Sequence, residues 1–205
     1  PRSPDFFVLA STSPRRRQFL EALGIPFTTI APGVNDNQRI DETPLPGESP
    51  AALVQLLSRE KTQSVLHNLA ARFPNAANYA RLVIVGADTE VVLEERILGK
   101  PTDASEAITM LQQLRNQAHR VYSGLTVARP PQTMITRLHI SQVWMRPYSD
   151  REIDQYVSDG SPLDKAGAYG IQDLAFAPVA RLEGCYASVM GFPLGEFADA
   201  LHQVG

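Results

Sequence analysis

The side chains best suited to chemistry in this chain are a scattered set of cations, Arg15, Arg16, Lys61, Lys100 and Lys165, and one carboxylate, Asp88. Cations set against phosphate oxygens neutralise charge on a transferring group, which usually contributes most to the rate of such reactions. A carboxylate beside them can orient or deprotonate water, and a divalent metal can bridge carboxylate and phosphate. The set therefore suits hydrolysis of a nucleotide phosphate. His67, His119, His139 and His202 are widely separated with no pair at helical spacing, which argues against zinc. Neither a G-x-S-x-G elbow nor a Walker A loop occurs. Cys185, the lone cysteine, reads as a buried thiol before it reads as a nucleophile.

Composition narrows the partners. A net charge of -3 argues against broad nucleic-acid binding, whereas a local basic pocket in an acidic protein suits a small anion. One cysteine makes no internal disulfide, which fits a reducing cytoplasm. No apolar run approaches ~18 residues, so neither a membrane span nor a signal peptide is expected. At 43% hydrophobic, the 205 residues can build one cored domain.

The elements that must carry these residues follow from pattern. Phe6-Phe-Val-Leu9 reads as a buried strand, and Ser13 then serves as N-cap with Pro14 at the first helical position. Phe19, Leu20 and Leu23 follow at helical spacing, and Gly24 stops the helix. Arg15, Arg16 and Arg17 in its first turn oppose the helix dipole, so an arriving polyanion explains them better than helix stability does. Phe27 to Ile30 reads as a strand, and residues 31–50 as a long functional loop. Pro50 starts a helix with Leu53, Leu56, Leu57 and Val65 on its apolar face. Spacing alone makes Lys61 an ordinary surface lysine on that helix.

Leu82-Val-Ile-Val85 is the strongest strand signal, and it leads straight into Gly86-Ala-Asp-Thr89, which makes Asp88 a carboxylate just past a buried strand, at the rim of the sheet. The plainer alternative is a turn residue capping its own backbone. Asp103 to Leu114 forms an amphipathic helix, with Ala107, Met110, Leu111 and Leu114 on one face. His119–Val127 and Thr136–Met145 pair as a hairpin, and Ser149 opens a capping-box helix through Val157. In Leu163 to Gln172, small residues let backbone approach a ligand, while Lys165 offers a charge and Gln172 an amide edge. Gly184 to Pro193 is glycine-punctuated, and a helix then runs through Leu201.

Seven motifs, Ser11 to Arg16, Arg59 to Lys61, Gly86 to Thr89, Leu98 to Pro101, His119 to Gly124, Asp164 to Gln172 and Gly184 to Pro193, stand in the order of the Maf family. The chain resembles that family of nucleoside triphosphate pyrophosphatases over essentially its whole length. The resemblance implies an α/β fold with a long twisted mixed β-sheet, flanking helices and two lobes around a central cleft, as one domain over residues 1–205. It also implies cleavage between α- and β-phosphates, with Mg²⁺ or Mn²⁺, in a homodimer. Asp88 resembles the proton acceptor, and Ser11, Ser13, Arg16, Lys61 and Lys100 the phosphate-binding set. Arg15, Thr89 and Gln172 resemble positions that choose the substrate.

Ser-Pro-Arg-Arg and Asp-Lys-Ala-Gly-Ala-Tyr-Gly-Ile-Gln are similar to the branch acting on dTTP and UTP. Asp36 falls where the family's metal-holding glutamate stands, so Asp36 and Asp88 are the metal residues that the resemblance implies. Glu90 replaces a usual apolar residue, Ser188 a common asparagine, and Asn116-Gln117 a usual Ser-Gly. Asp36 and Glu90 motivate an alternative, a catalytically weakened nucleotide-binding regulator of cell division.

Overall fold

A computed structural model describes residues 5–33, 40, 47–72, 81–131 and 133–205. In chain order the elements are β1 (Phe6–Leu9), α1 (Pro14–Ala22), β2 (Phe27–Thr29), α2 (Pro50–Arg72), β3 (Leu82–Leu93) and β4 (Arg96–Ile97). Then come α3 (Ala104–Leu114), β5 (Ala118–Arg129), β6 (Thr133–Met145), α4 (Asp150–Ser158), β7 (Val179–Glu183), α5 (Tyr186–Val189) and α6 (Leu194–Gln203). Two short 3-10 turns, Ser161–Asp164 and Ala166–Ala168, follow α4.

The strands form one seven-stranded mixed sheet in the order β2-β1-β3-β5-β6-β7, with β4 pairing β3. β1 runs parallel to both β2 and β3, whereas β4 on β3 and β7 on β6 are antiparallel. This open α/β sheet with flanking helices is the expected fold class.

The largest departure is β3. Gly86 to Thr89 is not a turn; the strand continues through it for 12 residues, and Asp88 sits inside the sheet. The reason is packing. A Cβ at Gly86 would lie 2.3 Å from Thr62 Oγ1 and 2.7 Å from the Ser58 carbonyl oxygen, so this glycine admits α2 rather than reversing the chain. Gly124 does the same on β5, where a Cβ would lie 2.1 Å from the Val54 carbonyl oxygen. The Ser58 hydroxyl then reaches Thr126 at 2.9 Å, and Thr126 reaches Thr136 at 3.0 Å, so a polar thread secures the close approach.

The chain divides into two compact units, each with a core of its own. One comprises 1–88, 123–138 and 191–205, the other 89–122 and 139–190. In the first, Val83, Val85 and Ala87 pack with Leu9, Leu20, Leu125, Phe192 and Phe197, while Leu82 and Ile84 pack with Val8 and Val65. That alternation is the period of two expected of a strand. In the second, Val91 and Leu93 pack with Met110, Leu111, Leu114, Ile153, Tyr156 and Phe176.

The helix starts mostly match expectation. Asp103 caps α3 by accepting the Glu106 N–H at 2.8 Å, and Ser149 with Glu152 forms the capping box of α4. Hydrogen bonds from Ser149 hold the Glu152 carboxyl down at about 2. Other expectations fail. Leu56 is exposed, and the covered face of α2 is instead Leu53, Val54, Leu57, Ser58, Lys61, Thr62 and Val65. Ser13 occupies the N-cap position, but its side chain makes no capping bond. β7, at the sheet edge, has only Val179 and Leu182 half-buried and no apolar run to announce it.

Candidate active site

The turn after β1 is built around one hydroxyl. The Ala10 N–H donates to the Val85 carbonyl at 2.8 Å, which carries the pairing with β3 to the start of the turn. Ser11 follows, buried, and its Oγ accepts from the Ser13 N–H at 3.1 Å and from Arg16 Nη1 at 3.2 Å. Ser11 thus ties down the Ser13 N–H just ahead of α1, and the capping bond expected of Ser13 is not made. Arg16 Nε donates to the Gly191 carbonyl at 3.0 Å, so two fixed oxygens hold the guanidinium. Arg15 is half-buried and Arg17 is exposed.

The second assembly joins α2 to β3. Lys61 is no surface lysine: it is 5% exposed, and its Nζ donates to Asp88 Oδ1 at 2.5 Å. The other carboxylate oxygen, Asp88 Oδ2, is buried and has no hydrogen-bond partner among the described residues. Buried polar atoms are nearly always satisfied, so such an oxygen calls for a function. It can accept a proton from water, or take a metal. Mg²⁺ is commonly held by one or two carboxylates together with substrate phosphates, a donor set that Asp88 fits. Among the described residues no group of three or more His, Cys, Asp or Glu side chains could form a full protein cage. Asp36 lies outside the described residues.

The remaining predicted residues lie in the second unit. Thr89 is half-buried and Lys100 exposed. Next to Lys100, the Gly99 carbonyl accepts the Gly167 N–H at 2.7 Å, which fastens this loop to the Ala166–Ala168 turn. A Cβ at Gly167 would meet Val91 at 2.9 Å, and its φ of +68° is the left-handed conformation that glycine adopts freely. Lys165 is buried and turned into its own segment. Its ammonium donates to the Ser161 carbonyl, to Ser161 Oγ at 3.2 Å and to Asp164 Oδ1 at 2.9 Å, and lies 3.9 Å from Asp173 Oδ2. Gln172 is half-buried, with its Oε1 covered and without a hydrogen-bond partner among the described residues.

His119 meets the Tyr169 hydroxyl through Nε2 at 2.7 Å, and burial drives its pKa down to about 4. The neutral ring accepts the Tyr169 proton most economically: Nδ1 lacks a partner among the described residues either way, and the reverse arrangement strands the hydroxyl hydrogen as well. Cys185 is half-buried rather than fully buried.

The structure therefore brings Ser11, Ser13 and Arg16 together, and Lys61 with Asp88, while Lys165 is committed to its own loop. Sequence reasoning missed Asp173 and Tyr156, which brace Gly170 and Lys165. The carboxylate directly after Gln172 was the available signal.

Comparison with known proteins gives the chain's family. A family model described as Maf-like protein matches residues 6–204. The chain is 40% identical over 199 residues to a dTTP/UTP pyrophosphatase of Pelotomaculum thermopropionicum, covering 97% of this chain and 96% of that one. It is 43% identical to a dTTP/UTP pyrophosphatase of Myxococcus xanthus, covering 97% and 92%. A nucleoside-triphosphatase / dITP/XTP pyrophosphatase structure from Mycobacterium abscessus aligns over 68% of this chain and 74% of its own, at a TM-score of 0.41 and 14% identity, too distant to bear on the site. With a full-length family match and relatives at this identity, the chain belongs to the Maf family.

Proposed function

We propose that this protein hydrolyses nucleoside triphosphates, dTTP and UTP foremost, to the monophosphate and pyrophosphate. Membership of the Maf family and near-full-length relatives named dTTP/UTP pyrophosphatase support the reaction. The observation that carries the mechanism is the buried open oxygen of Asp88.

In this reading the work divides among the chain's own residues. Lys61 fixes one carboxylate oxygen, so the other faces the reaction in one orientation. Asp88 Oδ2 accepts the proton of the attacking water, a step of general base catalysis. Ser11 and Gly191 hold Arg16 to receive phosphate oxygens, with Ser13 and Lys100 completing the phosphate set. Arg15, Thr89 and Lys165 serve substrate binding, Lys165 by holding the Gln172 segment in place. Gln172 reads the base, since a glutamine amide matches the imide edge of uracil or thymine. A divalent Mg²⁺ or Mn²⁺, held by Asp88 with Asp36, supplies charge neutralisation on the phosphates. A single domain, a homodimer and a cytoplasmic location complete the reading, the last supported by the lone cysteine.

The test is pyrophosphate release from a nucleotide panel with Mg²⁺ or Mn²⁺. Release from dTTP and UTP is expected to exceed release from purine nucleotides. Tight UTP binding without release under any metal would overturn hydrolysis and favour the nucleotide-binding regulator.

A further inference from the structure

Gly170 lies at the centre of a small polar assembly. A Cβ there would be 2.6 Å from Asp173 Oδ2 and 2.7 Å from Gln172 Nε2, so a carboxylate oxygen and an amide nitrogen share the space that the glycine leaves. Asp173 is firmly held. The Tyr156 hydroxyl donates to its Oδ2 and accepts the Gly170 N–H at 3.2 Å, while the Lys165 ammonium lies 3.9 Å from the same oxygen. Tyr156 is itself stacked on Phe176, with centroids 4.3 Å apart. The far end of the amide, Gln172 Oε1, is the buried atom without a hydrogen-bond partner among the described residues.

The two ends of an amide have the same shape and opposite chemistry, and the terminal torsion permits both orientations. A neighbouring carboxylate breaks that degeneracy, because it attracts the NH₂ end and repels the carbonyl oxygen. We propose that Asp173 locks the Gln172 amide with Nε2 toward the carboxylate, so that Oε1 is the end left to meet the base, as an acceptor. This rests on the reading of Gln172 as the base-contacting residue. Uracil and thymine carry a donor, N3–H, that matches an acceptor. Cytosine carries a lone pair at N3, which Oε1 repels. Matching cytosine at N3 requires turning the amide over, which places Oε1 against Asp173. Asp173 is thus a positioning residue for pyrimidine choice, and Tyr156 is the clamp that keeps it in place.

The experiment measures kcat/KM for UTP and CTP in the metal-loaded wild type and in Gln172→Ala, Asp173→Asn, Asp173→Glu and Tyr156→Phe. Asp173→Asn keeps an oxygen for the Tyr156 hydroxyl and removes only the charge. It is expected to lower the UTP/CTP ratio about tenfold, mostly through KM, with partial recovery in Asp173→Glu. Tyr156→Phe is expected to lower the ratio less, and it decides the matter should Asp173→Asn fail to fold. If Gln172→Ala keeps the wild-type ratio, Gln172 does not read the base and the inference falls with that reading. If Gln172→Ala loses the preference while Asp173→Asn, or Tyr156→Phe in its place, keeps it, Gln172 stands as the reader and the Asp173 lock alone is overturned.

Discussion

Lys61 and Lys165 are both buried and both face carboxylates, yet they are wired in opposite ways. Lys165 meets Ser161, Asp164 and Asp173, all within eight residues of itself, and closes its own loop. Lys61 reaches from a helix to a strand 27 residues further on, and its partner keeps one oxygen open. Both are costly charges to bury, and both are compensated. What separates them is the hydrogen-bonding capacity left over after compensation. An ion pair that satisfies both partners holds a loop; one that leaves an acceptor facing inward is prepared for a ligand.

That contrast can be broken by measurement. Lys61→Met leaves Asp88 buried without its ion partner, and chemical denaturation should show a loss of about 3–5 kcal/mol. Lys165→Met should cost only about 1–3 kcal/mol, because Asp164 is largely exposed and Asp173 keeps Tyr156. Equal costs would erase the distinction. His119 is a further buried titratable group. Its folded pKa of about 4 lies below the ordinary 6.5, so between these values the unfolded chain binds the extra proton. The His119 contribution to stability should be flat above pH 6.5, fall by up to about 3 kcal/mol as the pH drops to 4, and then level off. His119→Gln should flatten that stretch of the stability–pH curve, and an unchanged slope would assign it elsewhere. Gly86→Ala sharpens the other side of the contrast. Its methyl would press on the Ser58 carbonyl and on Thr62, so the denaturation midpoint should fall by the equivalent of about 1–3 kcal/mol. kcat should fall too, as α2 and Lys61 are pushed away from Asp88.

Much of this is legible in the chain. The β1–α1 unit, the apolar face of α3 and the capping box of α4 follow from short-range patterns, because neighbouring residues decide them. β3 misleads because Gly86-Ala-Asp-Thr89 has the local grammar of a strand end or a turn. Its true role, admitting Ser58 and Thr62 of α2, depends on a contact made across the fold. The burial of Lys61 is hidden for the same reason: only the partner strand reveals which face of α2 is covered. Lys165 is different, since Asp164, Ser161 and Asp173 all stand nearby in sequence and together could signal a self-contained pair. Asp36, the most consequential metal residue that the resemblance implies, lies outside the described residues.

The most direct measurement compares pyrophosphate release from UTP by the wild type and by Asp88→Asn, with UTP binding followed in parallel by calorimetry. If the open oxygen of Asp88 takes the proton from water, kcat should drop by about 10²–10⁴ while the variant stays folded and still binds UTP. A variant that releases pyrophosphate at the wild-type rate would contradict that role.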